Sequence, residues 1–211
     1  MTNNSIVPAT TTEILSEFTG GSTSEVAMMI GVGVVKDSDA VYFQYVGQEQ
    51  PPQALTMPSS GRPLTRLANV RLTGISIAEG VGEFNSIKLN LYVQSSQGRT
   101  LLLTSGLTTL WSQYALTGLM GLYQQYMVDQ QFTLDSWKGT SKMRPCFAAI
   151  RAQGNKVNDE NLKDLLIEAK SDGDKELTEK LLREAVNTIN SALGGAVEQA
   201  EVTVQTEEVP F

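Results

Sequence analysis

One stretch fixes more of this chain than any other. Ile87, Leu89, Leu91 and Val93 alternate with Lys88, Asn90 and Tyr92. Strict period-two alternation over seven residues is the signature of a β-strand with one face buried and the other wet. Its outer face would carry a cation, an amide and an aromatic ring in a row. Such a strand must find partners, and the flanking sequence supplies them. Upstream, Leu67–Ala78 carries Val70 and Leu72 on one parity and Ile75 and Ile77 on the other. A parity slip at Gly74 predicts a strand that bends through a bulge and serves two sides of a curved sheet. Downstream, Ser95-Ser96-Gln97-Gly98 predicts a hairpin turn, and Thr100–Thr104 the returning strand.

The period then changes. Leu107, Leu110, Trp111, Tyr114, Leu119, Leu122 and Tyr126 fit the apolar face of a helix over Leu107–Met127, with Ser105 and Thr108 as candidate caps. Gly118 and Gly121 weaken such a helix in isolation but permit close backbone packing. Two further strands follow, Gln131–Lys138 and Cys146–Gln153, joined by a basic loop over Gly139–Pro145. Phe132 and Leu134 share one face of the first, and Thr133, Asp135 and Trp137 the other. Three strands, a helix and two strands is the element order of an OB-fold. The expected fold is therefore mainly β with helices (α+β), an OB-like five-stranded barrel over residues 62–156. An unrelated twisted sheet packed on one helix would read similarly.

The barrel is flanked on both sides. Residues 1–61 form an N-terminal extension, with a short helix over Thr10–Phe18, a hairpin of Glu25–Lys36 and Ala40–Val46, and a Pro-rich loop over Gln48–Arg62. Residues 157–195 read as a helical hairpin. Asn158 caps one helix, and the stripe Leu177, Leu181, Leu182, Ala185, Ile189 and Leu193 marks the other. Residues 196–211 hold few apolar anchors and predict a mobile acidic tail.

Charge divides along the same boundaries. Residues 1–61 carry one lysine against six acids, residues 62–156 ten cations against four acids, and residues 157–211 five cations against thirteen acids. A basic centre beside an acidic end points to a polyanion partner for the centre. Binding a single strand without reading its sequence requires cations along the phosphates and aromatic faces for the bases. The candidate set is Arg62, Arg66, Arg71, Lys88, Tyr92, Arg99, Trp137, Lys138, Lys142, Arg144, Phe147 and Arg151. Of these, Phe147 reads as core more than as a stacking ring, and core is also the stronger reading of Trp111 and Tyr114.

Several chemistries lack their residues. With no histidine and a single cysteine, the chain has no Ser-His or Cys-His pair, and the lone Cys146 reads as a small buried residue. No phosphate-cradling GxxxxGK[ST] run occurs, and Gly31-Val32-Gly33 lacks the next glycine of a dinucleotide fingerprint. The expectation is a protein without catalysis or cofactors. Polar residues at Met1–Thr12 and a longest apolar run of only Val26–Val35 give no signal peptide and no membrane span, so the expected compartment is cytoplasmic.

The chain closes Glu207-Glu208-Val209-Pro210-Phe211. This ending resembles the acidic tip of bacterial and phage single-stranded DNA-binding proteins, which ends Ile-Pro-Phe in the bacterial members. The resemblance covers about five residues strictly and reaches the barrel only through element order. Val209 stands where the family has Ile, and a helical hairpin stands where the family has a Gly/Gln/Pro-rich linker. What the resemblance implies is binding of single-stranded DNA by the barrel, in replication, recombination or repair. By the same resemblance Glu207, Glu208, Val209, Pro210 and Phe211 dock on partner proteins, and a homo-oligomer is expected. The rival expectation is an assembly module whose barrel binds protein, with the helical hairpin mediating oligomerisation. Single-stranded RNA would satisfy the same chemistry.

Overall fold

In a computed structural model, residues 28–35, 38–45, 51–82, 84–126 and 130–194 are described. The expected Thr10–Phe18 helix, the acidic tail and its tip lie outside them. The described fold is mixed α+β. Among the described residues, nine strands form one sheet in the order β3-β2-β1-β6-β5-β4-β7-β8-β9, accompanied by three helices.

β4 (Arg66–Val81) organises the sheet. Its first residues pair with β7 (Phe132–Lys138), while the rest pair with β5 (Ser86–Gln94). The parity slip is real, for the register shifts between Leu72 and Gly74. The extra residue, Thr73, is fastened by its hydroxyl, which donates to the Tyr92 carbonyl at 3.2 Å. Leu67, Val70 and Leu72 on one side of the bulge, and Ile75 on the other, thereby all reach the core. β5 buries Leu89, Leu91 and Val93 as its alternation requires, and β6 (Thr100–Gly106) pairs with it along its full length.

The five strands expected in the barrel are neighbours in the order β6-β5-β4-β7-β8, but they do not close into a barrel. Both edges that closure would join are already occupied. β1 (Met28–Val32) lies parallel to β6, and β9 (Asn155–Val157) pairs antiparallel with β8 (Cys146–Ala152). The N-terminal hairpin is present as β1 with β2 (Tyr42–Gln44). The loop expected over Gln48–Arg62 proves more ordered in its described part. It contains β3 (Gln53–Ala54) and a turn in which Leu64 N–H donates to the Leu55 carbonyl and Met57 N–H to that of Arg62, at 2.9 and 2.7 Å. Leu55 and Leu64, both buried, anchor it.

α1 spans Leu110–Gln125 and starts three residues later than the apolar stripe suggests. Thr109 caps it, its hydroxyl accepting from Ser112 N–H, so Leu107 belongs to the turn before it. Gly118 lies against Ile150 and Gly121 against the backbone of Asn158, so both glycines serve close packing. α2 (Glu160–Ser171) is capped by Asp159 rather than Asn158, and α3 (Lys175–Ala192) by Asp174. These two form the expected hairpin, which packs on α1 and, through α3, on β4.

At the centre, Ser136 Oγ lies 2.7 Å from the Tyr42 hydroxyl and accepts from Trp111 Nε1–H at 2.9 Å. All three residues are buried. This bond set ties β2, α1 and β7 together, and burial pushes the Tyr42 phenol far above its ordinary pKa.

Candidate nucleic-acid interface

Strand parity decides which side chains of β7 and β8 face outward. Phe132, Leu134 and Ser136 point into the core, which sends Thr133, Asp135 and Trp137 to the other face. On β8 the inward set is Cys146, Ala148, Ile150 and Ala152, leaving Phe147 and Arg151 outside. Register places Trp137 opposite Phe147 and Thr133 opposite Arg151. It also places Arg66 beside Asp135, and Arg151 beside Lys156.

The aromatic part is a stack. Trp137 and Phe147 lie nearly parallel, centroids 5.9 Å apart and planes 20° apart, and Tyr114 meets Phe147 edge-on at 5.5 Å. Trp137 is 42% exposed and Tyr114 36%, so the stack offers an open indole to solvent. Tyr114, read as core from the stripe on α1, thus belongs to this surface, whereas Trp111 is in the core as expected. Phe147 is half-buried and supports the indole from beneath.

The charged part is a bridge. Arg66 Nε donates to one Asp135 oxygen at 2.6 Å, and Arg151 Nε to the other at 2.8 Å. Partial burial pushes the Asp135 carboxyl up, but the two guanidinium hydrogen bonds outweigh it and hold the pKa below the usual carboxylate value. Lys156 is exposed beside them. Two guanidinium groups therefore face one carboxylate. Thr65, Trp137, Ala149, Arg151 and Lys156 line a shallow depression over Asp135.

The other expected residues go elsewhere. Arg62 is exposed on the turn after β3, and Lys142 on the β7–β8 loop. Arg144 shares that loop but forms an ion pair with Asp39, whose carboxyl it holds down. Lys138 is committed to the fold: its Nζ donates to the carbonyls of Val35 and Ser38 and so pins the β1–β2 connection to β7. Arg99 is only 2% exposed and is no part of the surface. Arg71, Lys88 and Tyr92 share the outer face of the other arm, where Arg71 donates to Gln94 Oε1 at 2.5 Å. Lys88 there lines a depression with Thr108 and Glu179, and Tyr92 is half-buried between Gly74 and Leu102. Twelve candidates thus divide over two faces and the loops. Only Arg66, Trp137, Phe147 and Arg151 converge.

Lys156 and the bridging role of Asp135 were missing from the sequence reading. A signal for Lys156 existed. Gln153 and Gly154 have φ of 50° and 83°, both in the left-handed region, which makes a two-residue hairpin turn. Gln-Gly between Arg151-Ala152 and Asn155-Lys156 therefore lays Lys156 across from Arg151. Among the described residues no helix is long and apolar enough to cross a membrane. Comparison of the chain with family models, curated proteins and solved structures finds no match.

Proposed function

We propose that this chain binds single-stranded DNA, without catalysis, in replication, recombination or repair, with Glu207, Glu208, Val209, Pro210 and Phe211 recruiting partner proteins. The observation that carries the reading is the exposed Trp137–Phe147 stack set beside Arg66, Arg151 and Lys156. A solvent-facing indole backed by a second ring is a platform on which any base can lie. The cations set along the same face would follow the backbone. The neighbour order β6-β5-β4-β7-β8 supports an OB-like reading of this unit, extended on both sides by β1 and β9. The basic centre and acidic end agree with it.

Tryptophan fluorescence during titration with oligo-dT tests this cleanly, because the two indoles differ so much. Trp111 is buried and serves as a constant background, so a change on binding reports Trp137. Expected are saturable quenching with oligo-dT, little response to duplex, and affinity falling steeply with salt. Trp137→Ala lowers affinity about 5- to 150-fold, the weight of one stacked base. No response at any salt concentration refutes the proposal.

One observation favours a second reading. A largely apolar groove between α1 and α2 is lined by Leu110, Tyr114, Leu166 and Ile167 and flanked by Lys163 and Lys170. Ile167 is 58% exposed. Such a surface suits an assembly module. Sedimentation of the wild type and Ile167→Glu separates the two: a multimer lost on that substitution, together with no DNA response, favours assembly.

A further inference from the structure

On the side of the arginine pair away from Trp137 lies a second depression, lined by Arg66, Asn69, Gln131, Thr133, Arg151 and Gln153. Its composition differs from the first. Three carboxamides converge there, and two of them stand on irregular backbone. Asn69 has φ of 53° at the register shift between Leu67 and Val70, and Gln153 has φ of 50° on the β8–β9 turn. Bulges and tight turns re-aim side chains that a regular strand would lay elsewhere. Asp135 engages each arginine through Nε, and no hydrogen bond among the described residues uses their Nη groups. Two guanidinium forks are thus held between an aromatic depression and an amide depression.

Resting on the single-strand reading above, we infer that the amide-lined depression is a nucleobase subsite that favours adenine. One phosphate bridges the Nη groups of Arg66 and Arg151, the base on one side stacks on Trp137, and its neighbour enters the amide depression. A carboxamide presents a donor and an acceptor side by side, which is the pattern that pairs with adenine N6 and N7. Adenine repeats that donor–acceptor pair with N6 and N1 on its other free edge, so either orientation of the flipped-out base is satisfied. Thymine, cytosine and guanine present a donor beside an acceptor on the Watson–Crick edge alone, and the two acceptors of guanine's N7 edge would need the arginines that the phosphate occupies. Binding is then mostly indifferent to sequence, with one position that is not.

The test compares a short oligo-dT with the same oligomer carrying one central adenine, which avoids self-stacking of adenine runs. Asn69→Gly and Gln153→Gly, combined, remove two amides while keeping the positive φ without strain. The wild type binds the adenine oligomer about 5-fold or more tightly. In the double variant the preference vanishes, while oligo-dT affinity and Trp137 quenching persist. Equal affinities in the wild type, or a preference that survives in the variant, overturn the inference and leave the single-strand reading standing. Failure of the wild type to bind either oligomer overturns both.

Discussion

Gly121→Ala adds one methyl group at the seam between α1 and the segment entering α2. A Cβ there meets the Asn158 carbonyl carbon at 2.2 Å, its oxygen at 2.5 Å and its Cα at 2.7 Å. Comfortable carbon contacts need about 3.5–4.0 Å, so the two backbones must part by more than an ångström. The colliding atoms are main chain and have no rotamer to escape into. Their neighbours are also fastened, because Asp159 N–H donates to the Thr117 carbonyl at 2.8 Å and Gln124 Nε2 to Asp159 Oδ2 at 2.7 Å. Replacing a helical glycine by alanine gains about 1 kcal/mol of helix propensity. Against it stand an overpacking cost of about 1–3 kcal/mol, here at its upper end, and weakening of the Asp159 cap, worth about 1 kcal/mol. The net expectation is a loss of about 3 kcal/mol, or a Tm lower by about 6–12 °C. Urea unfolding followed by far-ultraviolet circular dichroism measures it as a lower midpoint at unchanged slope. A variant as stable as the wild type, or more so, refutes the close-packing argument, since propensity alone would then decide the outcome.

Two other perturbations probe the interior and the site. Ser136→Ala leaves the buried Tyr42 hydroxyl and Trp111 N–H without their shared partner, and an unmet buried polar group costs about 1–3 kcal/mol. Tyr42→Phe in the Ser136→Ala background should recover part of that loss in urea unfolding, and no recovery would dissolve the argument for a coupled network. Asp135 has its pKa lowered in the fold, so its contribution to stability is present above the unfolded value of about 4 and is lost as pH falls through the folded value. The unfolding midpoint should therefore drop more between pH 5 and 3 in the wild type than in Asp135→Asn, and equal drops would show that the bridge carries no stability.

What the sequence made legible was local. The alternation through Ile87–Val93, the parity slip beside Gly74 and the two close-packing glycines of α1 each announce themselves within a few residues, and each is found in place. Partners distant in the chain left no such trace. A parallel pairing of β1 with β6 depends on which edge is free after the hairpins have formed, and nothing in Met28–Val32 names that edge. The same ignorance misplaced the cations. Lys138 follows Trp137 at the end of a strand and reads as a phosphate contact, yet its Nζ is bound to carbonyls about 100 residues earlier in the chain.

Net charge is thus a weaker guide to a binding face than the way charges are held. Of the cations in the basic centre, Arg99, Lys138 and Arg144 are buried or bonded to the N-terminal hairpin, so the surplus in residues 62–156 overstates what a ligand would meet. Asp135 illustrates the opposite error, since an acid on a face proposed to meet phosphates looks like a defect. β7 lies between β4 and β8 in the sheet, and the outward residue at this level of β7 therefore separates side chains from the two outer strands. Without a negative charge there, two guanidinium groups would repel each other and spread apart. With it, they are drawn together by Nε, and no hydrogen bond among the described residues takes up their Nη groups, at the cost of one unit of local charge. A carboxylate that aligns two arginines raises their chance of acting on the same phosphate, which loose cations of equal number would not do.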